Sequence, residues 1–371
     1  MKHIIFSIRW PVSGIRNYIK YTFNNETFKE YKFTIVAPDI GFSEFVDKHL
    51  DSRFTFVACE GSAKSMIMAI LRVCRENPSA NINAHGFTAI IYSILPSLIC
   101  RRKLLGTAHD IFTEKQFSGK FSYLKRVLLA LLLNCTKATI TVSNDCKENI
   151  LRYLPLVPSN KLHPILNGID SQYFAHAQPR PFKKELSLPE ETVLVGFLGR
   201  FSAQKGFGYI IKAVQTLIED DSFKSKNFKL VCFGWGGFIR EEQEVISKLN
   251  LDSYFIFHPF VDDVATAIKG LDLVLMPSLW EACGILAMEV LACGVPLVVS
   301  DCEGLREVAM GTPATVVKMR SYEELVQALK KYLGKDSKGA FLEYAEIAQT
   351  RYSAKLNTSP QTLLIYKEFL E

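Results

Sequence analysis

The sequence predicts an α/β protein made of two successive domains, each built on a parallel sheet. Short apolar runs typical of buried strands alternate with helix-length segments along the chain, as expected when helices cover both faces of parallel sheets. The alternation breaks at 155–192, where six prolines and the turn signal Asn167-Gly168 occur. A length of 371 residues suits two or three domains. We therefore expect a linker here and a cleft between the domains, where ligands often bind.

The first half of the chain contains six predicted strands and several helices. The strands are expected at 3–7, 33–37, 54–58, 81–85, 103–108 and 138–142, and the helices at 14–28, 63–74, 87–99, 121–133 and 145–153. Asn144 or Asp145 is the expected N-cap of the last of these helices. The apolar run VLLALLL at 127–133 is shorter than a membrane span needs, so we expect it to be a buried helix face.

The second half repeats the pattern after the proline-rich stretch. Strands are predicted at 193–198, 229–233, 254–258, 273–276 and 296–299, and helices at 207–218, 241–249 and 359–371. Asp262-Asp263 is expected to cap another helix.

Composition and charge bound the class of protein. Residues 1–180 carry 23 Lys and Arg against 13 Asp and Glu, whereas the remainder is acidic overall. The basic half is expected to face an anionic partner, such as a phosphorylated acceptor or an acidic membrane surface, and nucleic acid is a weaker candidate. The alternative is basic residues scattered over a solvated surface. Nine cysteines without a CxxC pair, and too short an apolar run before Arg9 for a signal peptide, predict a cytoplasmic protein.

The stretch from Ser278 to Val308 organises the functional prediction. Glu281 and Glu289 lie eight positions apart, which on one continuous helix means about 12 Å and side chains pointing about 80° apart. They are therefore too far apart to share a proton or a metal ion. If Glu281 precedes the helix, the backbone N–H groups of Cys283, Gly284 and Ile285 form an anion site at its N-terminus. A polyol on Glu281, a phosphate at the helix start and hydroxyls on Glu289 match the layout of a nucleotide-sugar.

The segment GRFSAQKG at 199–206 follows a predicted strand and precedes a helix. Arg200 can hold phosphate oxygens bidentately and Lys205 can act as a point charge. The spacing matches neither the Walker P-loop nor the dinucleotide GxGxxG motif. Two solvated surface cations are the alternative. No DxD-like pair follows a strand, so we expect a metal-independent mechanism without a cofactor, in which Arg200, Lys205 and a helix dipole neutralise a leaving diphosphate.

Weaker candidates follow other strands. Gly14 in PVSGIRN suits a backbone that approaches a ligand, or marks a plain helix start. His109, next to Asp110, is expected either to hydrogen-bond a sugar or to be structural, and His85 is weaker still. FGWGG at 233–237 either wraps a base or ribose or turns the chain, and HPF at 258–260 is similarly weak.

These residues resemble a known enzyme family. The motifs NGID at 167–170, GR…KG at 199–206, FGWGG, HPFVDD, WEACGILAMEVLACGVPLVVSD, TAHD and VSND make the chain similar to family 4 retaining glycosyltransferases of the GT-B fold. The likeness covers most of residues 100–310, and its most specific parts are the two glutamates and the GR…KG loop. The paired glycines usual in the N-terminal loop are Ser13-Gly14 here.

The resemblance implies two Rossmann-like domains facing each other across a cleft. Residues 1–168 with the helix 359–371 would form the acceptor-side domain, and residues 169–358 the nucleotide-sugar domain. The donor, expected to be UDP-linked, would be bound by these residues: Arg200 and Lys205 on the diphosphate, Glu289 on the ribose, Glu281 on the sugar, amides of Cys283, Gly284, Ile285 and Leu286, and Gly14 and His109 from the first domain.

Such enzymes transfer a sugar with retention of configuration by a front-face mechanism, in which the diphosphate helps to deprotonate the acceptor. The acceptor would be a glycan or lipid-linked molecule of bacterial lipopolysaccharide or surface polysaccharide. The basic half would then contact the anionic inner face of the cell membrane.

Three other functions fit parts of the sequence. A nucleotide-sugar epimerase of similar architecture would convert its donor without an acceptor. A nicotinamide oxidoreductase would need GxGxxG after the first strand, which is missing. A noncatalytic binder of anionic lipid or nucleic acid would show salt-sensitive binding and no turnover, and no nucleic-acid motif supports it.

Overall fold

The computed structural model describes residues 1–224, 227–259, 261, 263–334, 341, 344, 367 and 368. Over these residues the chain forms two compact units, and the boundary between them falls between Ile169 and Asp170. The described C-terminal residues Lys367 and Glu368 belong to the first unit, where the Lys367 ammonium lies 6.0 Å from the centre of the Tyr31 ring.

The first unit contains a seven-stranded sheet in which every paired strand is parallel, with strand order β3-β2-β1-β4-β5-β6-β7. Its strands are β1 (Lys2–Ile8), β2 (Tyr31–Pro38), β3 (Phe54–Cys59), β4 (Asn81–His85), β5 (Leu104–Ala108), β6 (Ala138–Thr141) and β7 (Leu162–Pro164). Its helices are α1 (Ser13–Phe23), α2 (Phe42–His49), α3 (Ala63–Glu76), α4 (Phe87–Ile99), α5 (Ser122–Asn134) and α6 (Asn144–Tyr153).

The second unit contains a six-stranded sheet with parallel pairing and strand order β10-β9-β8-β11-β12-β13. Its strands are β8 (Val193–Leu198), β9 (Phe228–Phe233), β10 (Phe255–His258), β11 (Leu273–Met276), β12 (Leu297–Ser300) and β13 (Thr315–Val317). Its helices are α7 (Ser171–His176), α8 (Phe182–Glu185), α9 (Phe207–Ile218), α10 (Asp221–Lys224), α11 (Ile239–Lys248), α12 (Val264–Lys269), α13 (Ile285–Cys293), α14 (Leu305–Ala309) and α15 (Tyr322–Leu333).

The central strands of both sheets, such as β5, β6, β11 and β12, are buried on both faces, which explains their unbroken apolar runs. In the first unit, rings of Phe6, Phe23 and Phe33 pack with centroids 4.9 to 5.7 Å apart. In the second, Phe197, Phe201 and Phe207 form a similar cluster with centroids 4.8 to 5.4 Å apart. Each strand order reverses once, between β1 and β4 and between β8 and β11. These switch points are where open α/β sheets bind ligands.

Several predicted elements need correction. The first helix ends at Phe23, because the chain turns at Asn24 and Asn25. The N-cap of α6 is Ser143, whose hydroxyl accepts the N–H of Cys146 at 3.0 Å, so neither Asn144 nor Asp145 has that role. The proline-rich stretch holds β7, α7 and α8 rather than a plain linker.

The run VLLALLL was expected to be a buried helix face, and that prediction is wrong for its outer side. Leu128 and Leu131 are exposed, and of the run only Ala130 and Leu133 are buried. Cys135, which directly follows α5, is also exposed. Asp263 caps α12 by accepting the N–H groups of Ala265 and Thr266, as predicted. Phe260, Asp262 and all of the predicted helix 359–371 except Lys367 and Glu368 lie outside the described residues.

Candidate functional site

The second unit brings two predicted motifs together at its switch point. β8 and β11 are adjacent and parallel, with Val195 opposite Leu273 and Gly196 opposite Val274. The loop after β8 contains Arg200 and Lys205, and the loop after β11 contains Glu281. Because the carboxyl ends of parallel strands share one edge, the two loops emerge side by side.

Two glycines, Gly206 after β8 and Gly304 after β12, allow the loops at this edge to touch the loop after β11. Gly206 has a φ of +65°, and a Cβ there would lie 2.1 Å from the Pro277 carbonyl oxygen. Gly304 has a φ of +80°, and a Cβ there would lie 2.3 Å from the Glu281 carbonyl oxygen. Side chains at either position would force the loops apart. The contact is completed by the Leu279 N–H, which donates to the Gln204 carbonyl oxygen at 2.7 Å.

Lys205 and Glu281 form an ion pair between these loops. The Lys205 Nζ lies 2.5 Å from Glu281 Oε1, and both side chains are mostly buried. The Ser278 hydroxyl donates to the same oxygen at 2.9 Å, and Gln204 Nε2 lies 3.4 Å from Oε2 and 3.0 Å from the Trp280 carbonyl oxygen. The carboxylate is therefore fixed by neighbours from both loops. Lys205 has its positive charge offset by Glu281, a pairing that the sequence prediction did not include.

A second layer of buried hydroxyls supports this pair. Ser278 lies two residues after the end of β11. Its carbonyl oxygen accepts a hydrogen bond from the hydroxyl of Ser300, the last residue of β12. Both serines are buried. Gln204, Ser278 and Ser300 were missed from the sequence. The signal available was their position after strands of one sheet, since that position gathers polar groups at one edge.

Arg200 is held at the same edge with its side chain exposed. The backbone on either side is fixed, because the N–H groups of Gly199 and Phe201 donate to the carbonyl oxygens of Phe233 and Trp235 at 3.0 and 2.9 Å. The FGWGG segment thus turns the chain beside Arg200. A guanidinium presented in this way remains able to reorient towards an anion.

Glu289 lies on α13, whereas Glu281 lies in the preceding loop. The two glutamates are therefore not on one continuous helix, and Glu281 precedes the helix that carries Glu289. α13 begins at Ile285 after Gly284, so the amides of Cys283, Gly284, Ile285 and Leu286 lie in and just before its first turn. Glu289 is buried in the middle of the helix. The N-terminus of α13 carries a partial positive charge that favours anions.

His109 in the first unit forms a hydrogen bond with His85, the weaker of the two histidine candidates in the sequence. It follows β5, and its Nε2 lies 3.0 Å from Nδ1 of His85, the last residue of β4. The Tyr18 ring of α1 packs edge-on with centroids 4.6 Å from His109 and 5.7 Å from His85.

Both imidazoles are neutral at pH 7. Burial lowers the pKa of His109 to about 3. Burial, and then electrostatic coupling to His109, hold the pKa of His85 well below its usual value. A neutral imidazole can donate or accept a hydrogen bond but carries no charge to offset that of a phosphate. The pair therefore suits hydroxyl groups better than phosphates.

Gly14 is the second residue of α1 and is exposed, and a Cβ built there would meet no atom of the described residues within 4 Å. Open space at this glycine leaves room for an approaching group. Among the described residues, no three His, Cys, Asp or Glu side chains gather in a way that could hold a metal ion.

Two family models match the chain. The model described as Glycosyltransferase Family 4 matches residues 29–173, and the model described as Glycosyl transferases group 1 matches residues 180–347. With its two parallel-sheet units, the chain has the fold of GT-B glycosyltransferases. It belongs to glycosyltransferase family 4.

Characterised and uncharacterised relatives share parts of the sequence. The uncharacterized glycosyltransferase MJ1607 of Methanocaldococcus jannaschii is 31% identical over 46% of this chain and 43% of that protein. Alpha-maltose-1-phosphate synthase of Mycolicibacterium smegmatis is 23% identical over 67% and 66%. UDP-Gal:alpha-D-GlcNAc-diphosphoundecaprenol alpha-1,3-galactosyltransferase of Escherichia coli is 22% identical over 79% and 77%. The chain thus spans less than two thirds of the first two relatives.

Solved structures share the fold over the whole chain. Anabaena HepE in complex with UDP-glucose has a TM-score of 0.83 at 18% identity, covering 99% of both chains. WaaG, a glycosyltransferase involved in lipopolysaccharide biosynthesis, has a TM-score of 0.73 at 16% identity, covering 100% of this chain and 98% of that one. At these identities the likeness establishes the fold alone.

Proposed function

We propose that the chain is a metal-independent, retaining hexosyltransferase that uses a UDP-linked sugar and acts on a glycan or lipid-linked acceptor in bacterial lipopolysaccharide or surface polysaccharide synthesis. The observation that carries this proposal is the Lys205–Glu281 pair at the switch point of the second unit, with Arg200 and the start of α13 in the same unit. A cation, a carboxylate and a helix N-terminus suit the phosphate and hydroxyl groups of a nucleotide-sugar.

The relatives support the choice of donor and acceptor. HepE was crystallised with UDP and with UDP-glucose, and the Escherichia coli relative is named for UDP-Gal and a diphosphoundecaprenol acceptor. WaaG is described as taking part in lipopolysaccharide biosynthesis. Family membership favours transfer over donor epimerisation or noncatalytic binding.

In the proposed complex, the diphosphate binds Arg200, Lys205 and the amides from Cys283 to Leu286. The ribose hydroxyls bind Glu289 and the sugar hydroxyls bind Glu281. In the first unit, His109 and Gly14 stay predicted donor-contacting residues. Lys205 must then turn part of its hydrogen bonding from Glu281 to a phosphate oxygen. That exchange frees one of the two hydrogen bonds on Glu281 Oε1 for a sugar hydroxyl, while Ser278 keeps the other, so a single movement prepares both contacts.

The proposed reaction takes place on one face of the sugar. The acceptor oxygen forms a bond to the anomeric carbon as the bond from that carbon to the diphosphate oxygen breaks, and the electron pair leaves with the diphosphate. The acceptor proton passes to the departing diphosphate oxygen. Arg200, Lys205 and the α13 dipole stabilise the charge that develops there.

The test is a panel of UDP-sugars incubated with the enzyme and simple glycan or lipid-linked acceptors. NMR of the product should show an anomeric configuration equal to that of the donor, with release of UDP. Inversion at the anomeric carbon would contradict the retaining mechanism. Conversion of the donor to an epimer without acceptor would contradict transfer altogether.

A further inference from the structure

The outward face of α5 is apolar. Phe121 precedes the helix, and Leu124, Leu128 and Leu131 follow at spacings of three or four residues, which place them on one side of a helix. Their exposed fractions are 78%, 62%, 53% and 57%. The opposite side, with Ala130 and Leu133, is buried. The helix therefore has apolar residues on its buried side and on its solvent side.

The neighbouring helix α4 repeats this arrangement. Leu95, Leu98 and Ile99 form an exposed stripe with exposed fractions of 50%, 66% and 53%. The inner side of α4 contributes Ile90 and Ile94 to a core cluster on which Leu132 of α5 packs. α4 and α5 contact each other, so the two exposed stripes lie on neighbouring helices.

Surface helices of globular proteins normally turn charged residues to water. α11 in the second unit does so: Ile246 is buried, and its exposed positions include Arg240, Glu241, Glu244 and Lys248. Large exposed apolar patches on a single chain mark interaction sites. By this standard the α4–α5 face is built to be covered.

The charge around this face identifies what covers it. Residues 87–137 carry eight Lys and Arg against two Asp and Glu. The net charge of this segment, +6, equals that of the whole chain. Arg101 and Lys103 follow the end of α4, and Lys120 directly precedes Phe121, all three exposed. Basic residues beside an apolar helix face match a membrane with anionic headgroups above its acyl chains.

A second copy of this chain fits the face less well. A two-fold contact through α4 and α5 would bring the same basic residues of both copies close together, and like charges across an interface are repulsive. α5 is also too short to span a bilayer, because its 13 residues form a helix only about 20 Å long. Among the described residues, no helix is long and apolar enough to cross a membrane.

We propose that the exposed faces of α4 and α5, from Leu95 to Ile99 and from Phe121 to Leu131, insert into the headgroup and upper acyl region of an anionic lipid bilayer. Arg101, Lys103 and Lys120 then bind lipid phosphates. This docking surface requires no sugar transfer, so it goes beyond the proposed function and can fail or succeed independently of it. For a lipid-linked acceptor, it would hold the first unit at the surface where the acceptor lies.

The test is co-sedimentation of the full chain with vesicles of phosphatidylcholine, with and without phosphatidylglycerol. The wild type should bind the anionic vesicles and bind them less as salt increases. The double variant Leu124→Ser, Leu128→Ser should lower the partition coefficient by at least about tenfold for each leucine. Lys120→Gln should lower it by about fivefold. The control Met310→Ser changes an equally exposed apolar residue of the second unit and should leave binding unchanged.

A tryptophan probe gives a positive signal for membrane insertion, which a misfolded variant would not mimic by merely failing to bind. Leu124→Trp should show emission that shifts to the blue on vesicles and is quenched by brominated acyl chains, whereas Met310→Trp should not. The proposal is overturned if the wild type ignores anionic vesicles, or if the double leucine variant binds as the wild type does. It is also overturned if these leucines instead mediate dimerisation that sedimentation velocity detects and the double variant abolishes.

Discussion

The two sheets share a topology, yet the groups at their carboxyl edges differ in charge. In the first unit, His85 and His109 form a neutral pair enclosed by aromatic rings. In the second, Lys205 and Glu281 form an ion pair fixed by Ser278 and Gln204. Charged partners suit the phosphates of a donor, and neutral imidazoles suit hydroxyls. The switch point thus provides the position, and the loop residues determine which part of a ligand is bound there.

The largest effect should follow loss of the cation in the charged pair. Lys205→Ala should lower turnover about 10²–10³-fold, because one preorganised group that stabilises developing charge is lost. Steady-state kinetics with a UDP-sugar measure this change. The matched control is Lys212→Ala. Lys212 is an exposed lysine of α9 whose ammonium lies over the Tyr322 ring of α15. Equal turnover in both variants would contradict a diphosphate role for Lys205.

Loss of Glu289 should act on binding more than on turnover. Glu289→Ala removes a carboxylate proposed to accept hydrogen bonds from ribose hydroxyls, so the affinity for UDP should fall about 10–100-fold. Because Glu289 is buried, Glu289→Gln serves as the variant that preserves volume. Calorimetric titration with UDP tests the claim. Normal affinity in both folded variants would exclude the ribose contact.

Substitution in the neutral pair of His85 and His109 should lower turnover less than substitution of Lys205. His109→Ala should lower turnover by about tenfold, the effect of one hydrogen bond to an uncharged hydroxyl. A fall as large as that of Lys205→Ala would show that the first unit also handles developing charge, which would remove the contrast between the two edges.

The same pair predicts an acid-sensitive fold. The pKa of each histidine is lower in the folded chain than its usual value near 6.5, so the unfolded chain binds more protons as pH falls below that value. The free energy of unfolding should therefore decrease between about pH 6.5 and pH 4. Urea unfolding across this range should show a smaller decrease for His109→Phe than for the wild type. An identical pH dependence would contradict the neutral state of His109.

The smallest effect should come from removing metals. Since the proposed charge stabilisation rests on Arg200, Lys205 and α13, treatment with EDTA should change turnover by less than about twofold. A large loss that is restored by a divalent cation would contradict the metal-independent mechanism.

Much of the fold follows from the sequence because parallel strands and their covering helices leave a strong pattern. β4, β8, β11, α4 and α9 occur where the pattern predicts them. Short elements such as α2, β7 and β13 carry too few residues to show a period. The outer side of α5 was assigned wrongly, since an apolar run does not reveal which of its faces meets the core.

The sequence analysis named candidate residues for the site but not their partners in the structure. Arg200, Lys205, Glu281 and Glu289 follow from motif spacing, and the structure places all four in one unit. The contact between Lys205 and Glu281 joins residues 76 positions apart and depends on β8 lying beside β11. His85 was undervalued for the same reason, because its partner His109 belongs to the next strand of the sheet.

Titration of UDP into the wild type and into Lys205→Ala, Arg200→Ala and Lys212→Ala, by calorimetry, tests most directly the claim that the second unit binds a diphosphate. We predict that UDP binds the wild type and Lys212→Ala equally and binds the other two variants at least about tenfold more weakly, since each loses a charge-assisted hydrogen bond. The same affinity in all four proteins, or no UDP binding by the wild type, would contradict it.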